Sequence, residues 1–489
     1  MKNEELKKLY PSTLWNLFAD ICSIPHPSGH EGPILAWLKN WAKEHQIECE
    51  QDEVGNLILR KPATSGMENR TPVILQSHVD MVPQANSDVQ HNFAKDPIIP
   101  VIGEDGWLRA KGTTLGADNG IGVAAGLALL LEKEIEHGPI EVFLTVEEET
   151  GMTGAFGLKK GFVKGDILIN LDSETEGEMY AGCAGGLDAN IEKDYETEPV
   201  AGNMQGVRLF ISGLKGGHSG MDINLGRANA NKLMTRLLVK GKEELGLRIA
   251  SIHGGSLRNA IAREAEAIVA LPKDNVEAMK TLIQNCIEML RKEFATTEPD
   301  LKIEFSLIDT PAEVVKTCCD TPILQLAYAL PHGVLRMSNS MEDLVETSNN
   351  FAIFNLKNGK LTIANLIRSS VDSAKEAVGE KMKSIAEMAG ANITLTGGYP
   401  GWKPNMDSPI LKTAIKTYTE KNGKEPKIMA IHAGLECGLF GVSYPHWDMI
   451  SFGPTIMNPH SPDERVHIES VGKFWDFLLT LMKNIPVKS

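Results

Sequence analysis

Residues 140–151 read IEVFLTVEEETG, an apolar run that stops at three consecutive carboxylates, Glu147, Glu148 and Glu149. By itself an acidic run is most often a solvated turn. Here it ends a stretch of strand length, and α/β sheets place their sites at the ends of buried strands. The pattern recurs. VILQSHVD (73–80) ends at His78 and Asp80, TTLGADNG (113–120) contains Asp118, and ILINLDSE (167–174) reaches Asp172. Far downstream, IMNPHSPDE (456–464) sets His460 in a turn between Pro459 and Pro462. Helical patterns alternate with these runs, at 12–45 (broken by the turn-rich IPHPSGHEG, 24–32) and at 118–136. Such alternation is that of an α/β layered domain.

At 489 residues the chain is long enough for two or three domains. A hydrophobic fraction of 42% and a charged fraction of 23% are those of a globular protein in water. The net charge of −15 argues against nucleic acid, whose binding needs basic faces. Seven cysteines without CxxC spacing make neither a disulfide framework nor a cysteine zinc site. The N-terminal MKNEELKKLYPSTLWNLFADI reads as an amphipathic helix rather than a secretory signal. No run approaches the ~20 apolar residues of a membrane span. A cytoplasmic protein is expected, with no nucleic-acid or membrane partner.

Near residue 190 the character changes. A strand candidate at 205–213 precedes the glycine-rich GLKGGHSGMDINLG, and helix and strand patterns then repeat to about residue 395. The expected organisation is a catalytic domain in two parts, 1–190 and 396–489, around an inserted α/β domain at 191–395 that contains a weak internal duplication. The first domain must be discontinuous, because His460 has to join ligands that precede residue 175.

Each candidate has a plain alternative. His78 and Asp80, two apart on an extended strand, share a face; Asp80 then orients the imidazole of a metal ligand, although most HxD pairs are structural. Asp118 alone is a helix N-cap; in a metal site its two oxygens bridge two ions. The glycines at 120, 122 and 126 are spaced GxGxxxG, one residue too long for a dinucleotide loop, and no apolar strand leads into them. Together, the segments supply about three imidazole or carboxylate ligands per metal, which suits zinc, with a spare Glu for metal-assisted hydrolysis.

SHVDMV, GADNGIG, TVEEETGMTGA, INLDSE and NPHSPDE, in this order, resemble the M20 family of dinuclear zinc peptidases, most closely its aminoacyl-histidine dipeptidase (carnosinase-like) branch. HAGLECGLF and ISFGP strengthen that placement. The resemblance implies a zinc-peptidase catalytic domain with an inserted lid and dimerisation domain, acting as a homodimer on short peptides such as β-alanyl-histidine and other Xaa-His dipeptides. It implies two Zn²⁺ per subunit, with Mn²⁺ or Co²⁺ as substitutes. Asp118 would bridge the ions, His78 and Asp172 complete one site, and Glu149 with His460 the other. Glu148 would be the general base and later the acid for a metal-activated water, and Asp80 would hold His78. A cis peptide between Asp118 and Asn119 is implied as well.

In the inserted domain, His218 of GGHSG would stabilise the oxyanion, and Asn259 and Arg368 would bind substrate backbone and terminal carboxylate. His432 and Glu436, one helical turn apart in spacing, are expected to be pocket residues rather than ligands. The alternatives are another amidohydrolase on the same scaffold (tripeptidase, acyl-amino-acid deacylase or carboxypeptidase) and a non-catalytic metal-binding protein.

Overall fold

The computed structural model describes residues 5–488, so the start of the helix expected from Met1 lies outside the described residues. A 3-10 turn at Leu6–Lys8 and the helix Ser12–Cys22 follow. The chain divides into two compact units. The first comprises the described residues up to Gly182, Pro404–Ala430 and the segment from Leu435 onward; the second is Cys183–Lys403 with Ile431–Gly434. Among the described residues no helix is long and apolar enough to cross a membrane.

The first unit is built on an eight-stranded sheet. Its order is Glu48–Gln51, Leu57–Lys61, Ile140–Thr145, Val73–His78, Ile167–Asn170, Asp448–Ser451, Glu178–Cys183, Lys427–Ile431. The four central strands, Ile140–Thr145 to Asp448–Ser451, run parallel. Three of them are buried at every residue, which is why their sequences are continuous apolar runs rather than alternating ones. Helices Ser12–Cys22, Ala117–Leu131, Pro409–Asn422 and Ile468–Asn484 share one apolar core with this sheet. Because the strands are parallel, the residues that follow them emerge along one edge, where such sheets hold ligands.

The helix expected at 118–136 stops at Leu131, and Asp118 and Asn119 take non-helical backbone at its start, joined by a cis peptide. At Gly122 a Cβ would lie 2.8 Å from the carbonyl oxygen of Leu171. The missing side chain lets this helix press onto the chain just before Asp172. A separate four-stranded sheet carries the turn with His460 between Ile456–Met457 and Arg465–His467.

The second unit holds a nine-stranded sheet made of two similar halves. In the first half, strand Met204–Ser212, helix Ala230–Leu245, strands Arg248–Gly254 and Ala265–Pro272, helix Val276–Glu293 and strand Lys302–Ile308 follow in sequence. Numbered within the half, the strands lie in the order 4-1-3-2, a ferredoxin-like βαββαβ arrangement. The other half repeats it with Gly185–Asp194, helix Thr317–Ala329, Val345–Lys357, Lys360–Ser369, helix Asp372–Met388 and Asn392–Tyr399. The first half is inserted after the initial strand of the second. The two second strands join the halves antiparallel, Ile252 opposite Leu356 and Gly254 opposite Phe354.

Asn229 reinforces this junction. Its side-chain oxygen caps helix Ala230–Leu245 by accepting from the amides of Asn231 and Lys232, and its amide donates to Phe351 O at 2.8 Å. Asn229→Ala removes both and leaves a buried carbonyl unpaired. We expect it to destabilise the second unit by about 1–3 kcal/mol in urea unfolding; an unchanged midpoint would contradict the role.

Candidate active site

The ligand set assembles around Asp118. Its Oδ1 lies 3.1 Å from His78 Nε2, and the same nitrogen is 3.3 Å from Asp172 Oδ1. Its Oδ2 lies 3.2 Å from His460 Nε2, which is 3.0 Å from Glu149 Oε2. Each oxygen of one carboxylate therefore faces its own imidazole–carboxylate pair. Ligand atoms arranged tetrahedrally at zinc bond lengths sit about 3.3 Å from one another, so both groups have the spacing of a metal's coordination shell. The Oε1 of Glu149 is buried without a hydrogen-bond partner, an arrangement that a bound cation would complete. The donor set, imidazole and carboxylate only, fits a divalent ion such as zinc.

Two other carboxyls, Asp80 and Glu464, hold the candidate ligands in place. The strand carrying His78 ends at that residue, so Asp80 is not brought beside it by strand alternation, as the spacing suggests. The chain turns instead. His78 Nδ1 meets the Asp80 carbonyl at 3.0 Å and Oδ1 at 3.4 Å. The Asp80 carboxylate accepts the amides of Glu148 at 3.0 Å and Glu149 at 3.2 Å and the hydroxyl of Ser28 at 2.8 Å. One side chain thus orients the imidazole and fixes the turn of the two glutamates. Glu464, buried, accepts the four successive amides of Leu115, Gly116, Ala117 and Asp118 at 2.6–3.2 Å. It ties the Asp118 loop to the turn of His460.

Beneath the strand ends, Gln76 donates to Glu436 Oε2 at 2.5 Å and accepts from Asn170 Nδ2 at 2.5 Å; Thr145 donates to the same glutamate oxygen at 2.8 Å. Ser451 of the ISFGP segment donates to Asn170 Oδ1 at 2.5 Å. Glu436 is 1% exposed and braces the strand ends through Gln76 and Thr145. The helical spacing of His432 and Glu436 is also corrected: Leu435 is extended, helix Glu436–Ser443 begins after it, and His432 belongs to the other unit.

Charge at the centre is unbalanced. Desolvation, with Asp172, Glu436 and Glu149 adding to it against the pull of His78, holds Glu148 well above the usual carboxylate range. Burial lifts Asp172 to about 7, and burial with the repulsion of Asp118 and Asp172 lifts Glu174 to about 9. Hydrogen bonds to Asp118 and Glu149 raise His460 to about 11. Burial disfavours the His78 imidazolium, but Asp172, Asp118 and Asp80 outweigh it and raise its pKa.

In the second unit, His218, Asn259, Arg368 and His432 come together. The amide of Ser219 donates to Asn259 O at 2.8 Å, and Ser219 Oγ accepts from Arg368 Nε at 3.3 Å. The amides of Gly220 and Met221 donate to His218 Nδ1, which leaves the ring proton on Nε2 as a donor. Burial and the neighbouring Arg368 lower His218 to about 4 and His432 to about 3, so both rings are neutral near pH 7. His432 Nε2 pairs with Ser348 Oγ at 2.7 Å. Buried Glu298 clamps both ends of the His218 loop by accepting the amides of Lys215 and Ala228. Arg368, 5% exposed, has only hydroxyls as side-chain partners, and no carboxylate lies within 4 Å of it among the described residues.

Residues 74–484 match the pattern of peptidase family M20/M25/M40. The chain belongs to this family. The cytosol non-specific dipeptidase of Escherichia coli K12 is 49% identical over 485 residues, covering 99% of this chain and all of that one. The crystal structure of an aminoacylhistidine dipeptidase from Vibrio alginolyticus superposes with a TM-score of 0.93 at 49% identity, over all of this chain and 99% of that one. An aminopeptidase PepT from Bacillus cereus, at 18% identity and a TM-score of 0.57 over 98% and 99% of the two chains, shares the fold.

As an M20 member the protein is a metal-dependent peptide hydrolase, of a family that typically uses zinc, with a candidate site at His78, Asp118 and Glu149. Glu464 and Glu298 escaped the sequence analysis. Glu464 stands inside the NPHSPDE motif, but only the fold shows its carboxylate turned onto a distant loop.

Two outcomes follow for this metal-dependent centre. Imidazole binds metal only when neutral, so zinc titrated into the metal-free protein at pH 7 should release protons from His78 and His460. Calorimetry should give an apparent enthalpy that varies with the ionisation enthalpy of the buffer; a buffer-independent enthalpy would count against protonated imidazoles. Glu464→Ala should weaken zinc binding roughly 10–100-fold, the usual loss when an outer-shell partner is removed, in a chelator competition assay on protein with unchanged circular dichroism. Undiminished affinity would remove Glu464 from the site.

Proposed function

We propose that the protein is a cytosolic dipeptidase that hydrolyses Xaa-His and related short dipeptides, β-alanyl-histidine among them, with two zinc ions and Glu148 as general base. One observation carries it: the two Asp118 oxygens each face a separate histidine–carboxylate pair. Full-length identity of 49% to a protein named as a dipeptidase supports the substrate class. His78, Asp172 and Asp118 would hold one ion, and Glu149, His460 and Asp118 the other. When bound, the ions supply Lewis-acid activation of the attacking water and the scissile carbonyl.

The chain's own residues do the rest. Glu148, beside Glu149 and anchored through its amide to Asp80, takes the proton of the attacking water and later gives it to the leaving amine. His218 Nε2–H donates to the developing oxyanion. Arg368, a buried cation with no protein carboxylate within 4 Å among the described residues, pairs with the free carboxylate of the substrate and so limits it to short peptides; Asn259 binds its backbone. The roles of the second unit as lid and dimerisation domain come from the resemblance, and light scattering at micromolar concentration tests the dimer.

Glu148→Gln should keep its zinc while turnover of β-alanyl-histidine falls by at least about 10²-fold. Loss of metal with activity intact would contradict the assignment. Cleavage of triglycine or an N-acetyl amino acid in place of the dipeptide would retain the centre and replace the substrate.

A further inference from the structure

Three residues on neighbouring strands line up across the sheet of the second unit. Arg368 on Lys360–Ser369 stands opposite Gly186 on Gly185–Asp194, and Gly186 stands opposite Tyr399 at the end of Asn392–Tyr399. Residues directly opposed in antiparallel strands project from the same face. Arg368 and Tyr399 are therefore on one face, with backbones about 10 Å apart, separated by a residue with no side chain. The tyrosine ring fills that space. A Cβ on Gly186 would lie 2.4 Å from Tyr399 Cε1 and 2.8 Å from its hydroxyl oxygen. The hydroxyl reaches Arg368 and accepts from Nη1 at 3.1 Å. The backbone around Tyr399 is fixed as well: Lys375 Nζ donates to its carbonyl at 2.5 Å, and Trp402 and Cys183 exchange both backbone hydrogen bonds at 2.8 and 3.0 Å.

We propose that Tyr399 is a specificity-determining residue of the carboxylate site, holding the Arg368 guanidinium and donating its own hydroxyl proton to the same substrate carboxylate. This rests on the role given to Arg368 under Proposed function. Guanidinium has no acceptor, so a phenol oxygen that accepts from it keeps its O–H proton for another partner. Burial keeps that phenol protonated against the opposing influence of Arg368. Ser219 and Tyr399 orient the fork through Nε and Nη1 but neutralise none of its charge. The remaining N–H groups and the phenol proton form one donor set for an anion. A peptide ending in a free α-carboxylate satisfies it; a C-terminal amide brings no charge to it, and the nearest acidic neighbour that Arg368 acts on, Asp188, makes no ion pair with it. Gly186 is part of the device, because any side chain there displaces the ring.

The test is steady-state kinetics on zinc-loaded protein with β-alanyl-histidine and its C-terminal amide. The unsubstituted protein should prefer the free acid. Tyr399→Phe should raise KM for the free acid roughly tenfold, the loss of one hydrogen bond to a charged group, with kcat and zinc content unchanged and the amide unaffected. Gly186→Ala, which retains the hydroxyl but moves the ring, should give the same KM-specific change. An unaltered KM for the free acid in Tyr399→Phe, or equal losses on acid and amide, would overturn the proposal. If the unsubstituted protein turns over acid and amide alike, the assignment of Arg368 falls first, and that of Tyr399 with it.

Discussion

Asp118, Glu148, Glu149, Asp172 and Glu174 crowd the ends of buried parallel strands, and their negative charge cannot be dispersed into water there. Burial and mutual repulsion lift Glu148, Asp172 and Glu174, and the neighbouring carboxylates raise His78 and His460. Divalent ions relieve the same repulsion. The rest of the first unit keeps the carboxylates from moving apart. Asp80 grips the amides of Glu148 and Glu149, and Glu464 grips four amides of the Asp118 loop. The second unit uses the same device where Glu298 clamps the His218 loop. Acidic side chains thus serve as ligands in one place and as backbone anchors in another.

The buried strands and the candidate ligands were legible in the sequence for a single reason. A strand buried on both faces is apolar until it ends, so His78, the Glu147–Glu149 run and Asp172 stand out as abrupt changes of polarity. Residues that act across the fold leave no such trace. Glu464 and Glu298 hold backbone far away in sequence, and Tyr399 matters only because Gly186 lies beside it in the register. Spacing misled in two places. His432 and Glu436 are four apart, but extended Leu435 separates them. His78 and Asp80 are neighbours through a turn rather than along a strand.

The duplication in the second unit explains how its four candidate substrate-binding residues are placed. His218 and Asn259 lie on loops of the first βαββαβ half; Arg368 and Tyr399 end strands of the second. Pairing of the two halves through Arg248–Gly254 and Val345–Lys357 sets these groups within one continuous sheet. Ser219, one residue from His218, touches Arg368 directly. The loop of His218 therefore lies against Arg368.

The most direct test of the two-ion centre is anomalous diffraction at the zinc edge from crystals of the zinc-loaded protein. Two peaks are expected, one on each side of Asp118, each about 2.0–2.2 Å from a different oxygen of its carboxylate. A single peak, or two peaks of which neither touches Asp118, would contradict the bridging role on which the proposed function stands.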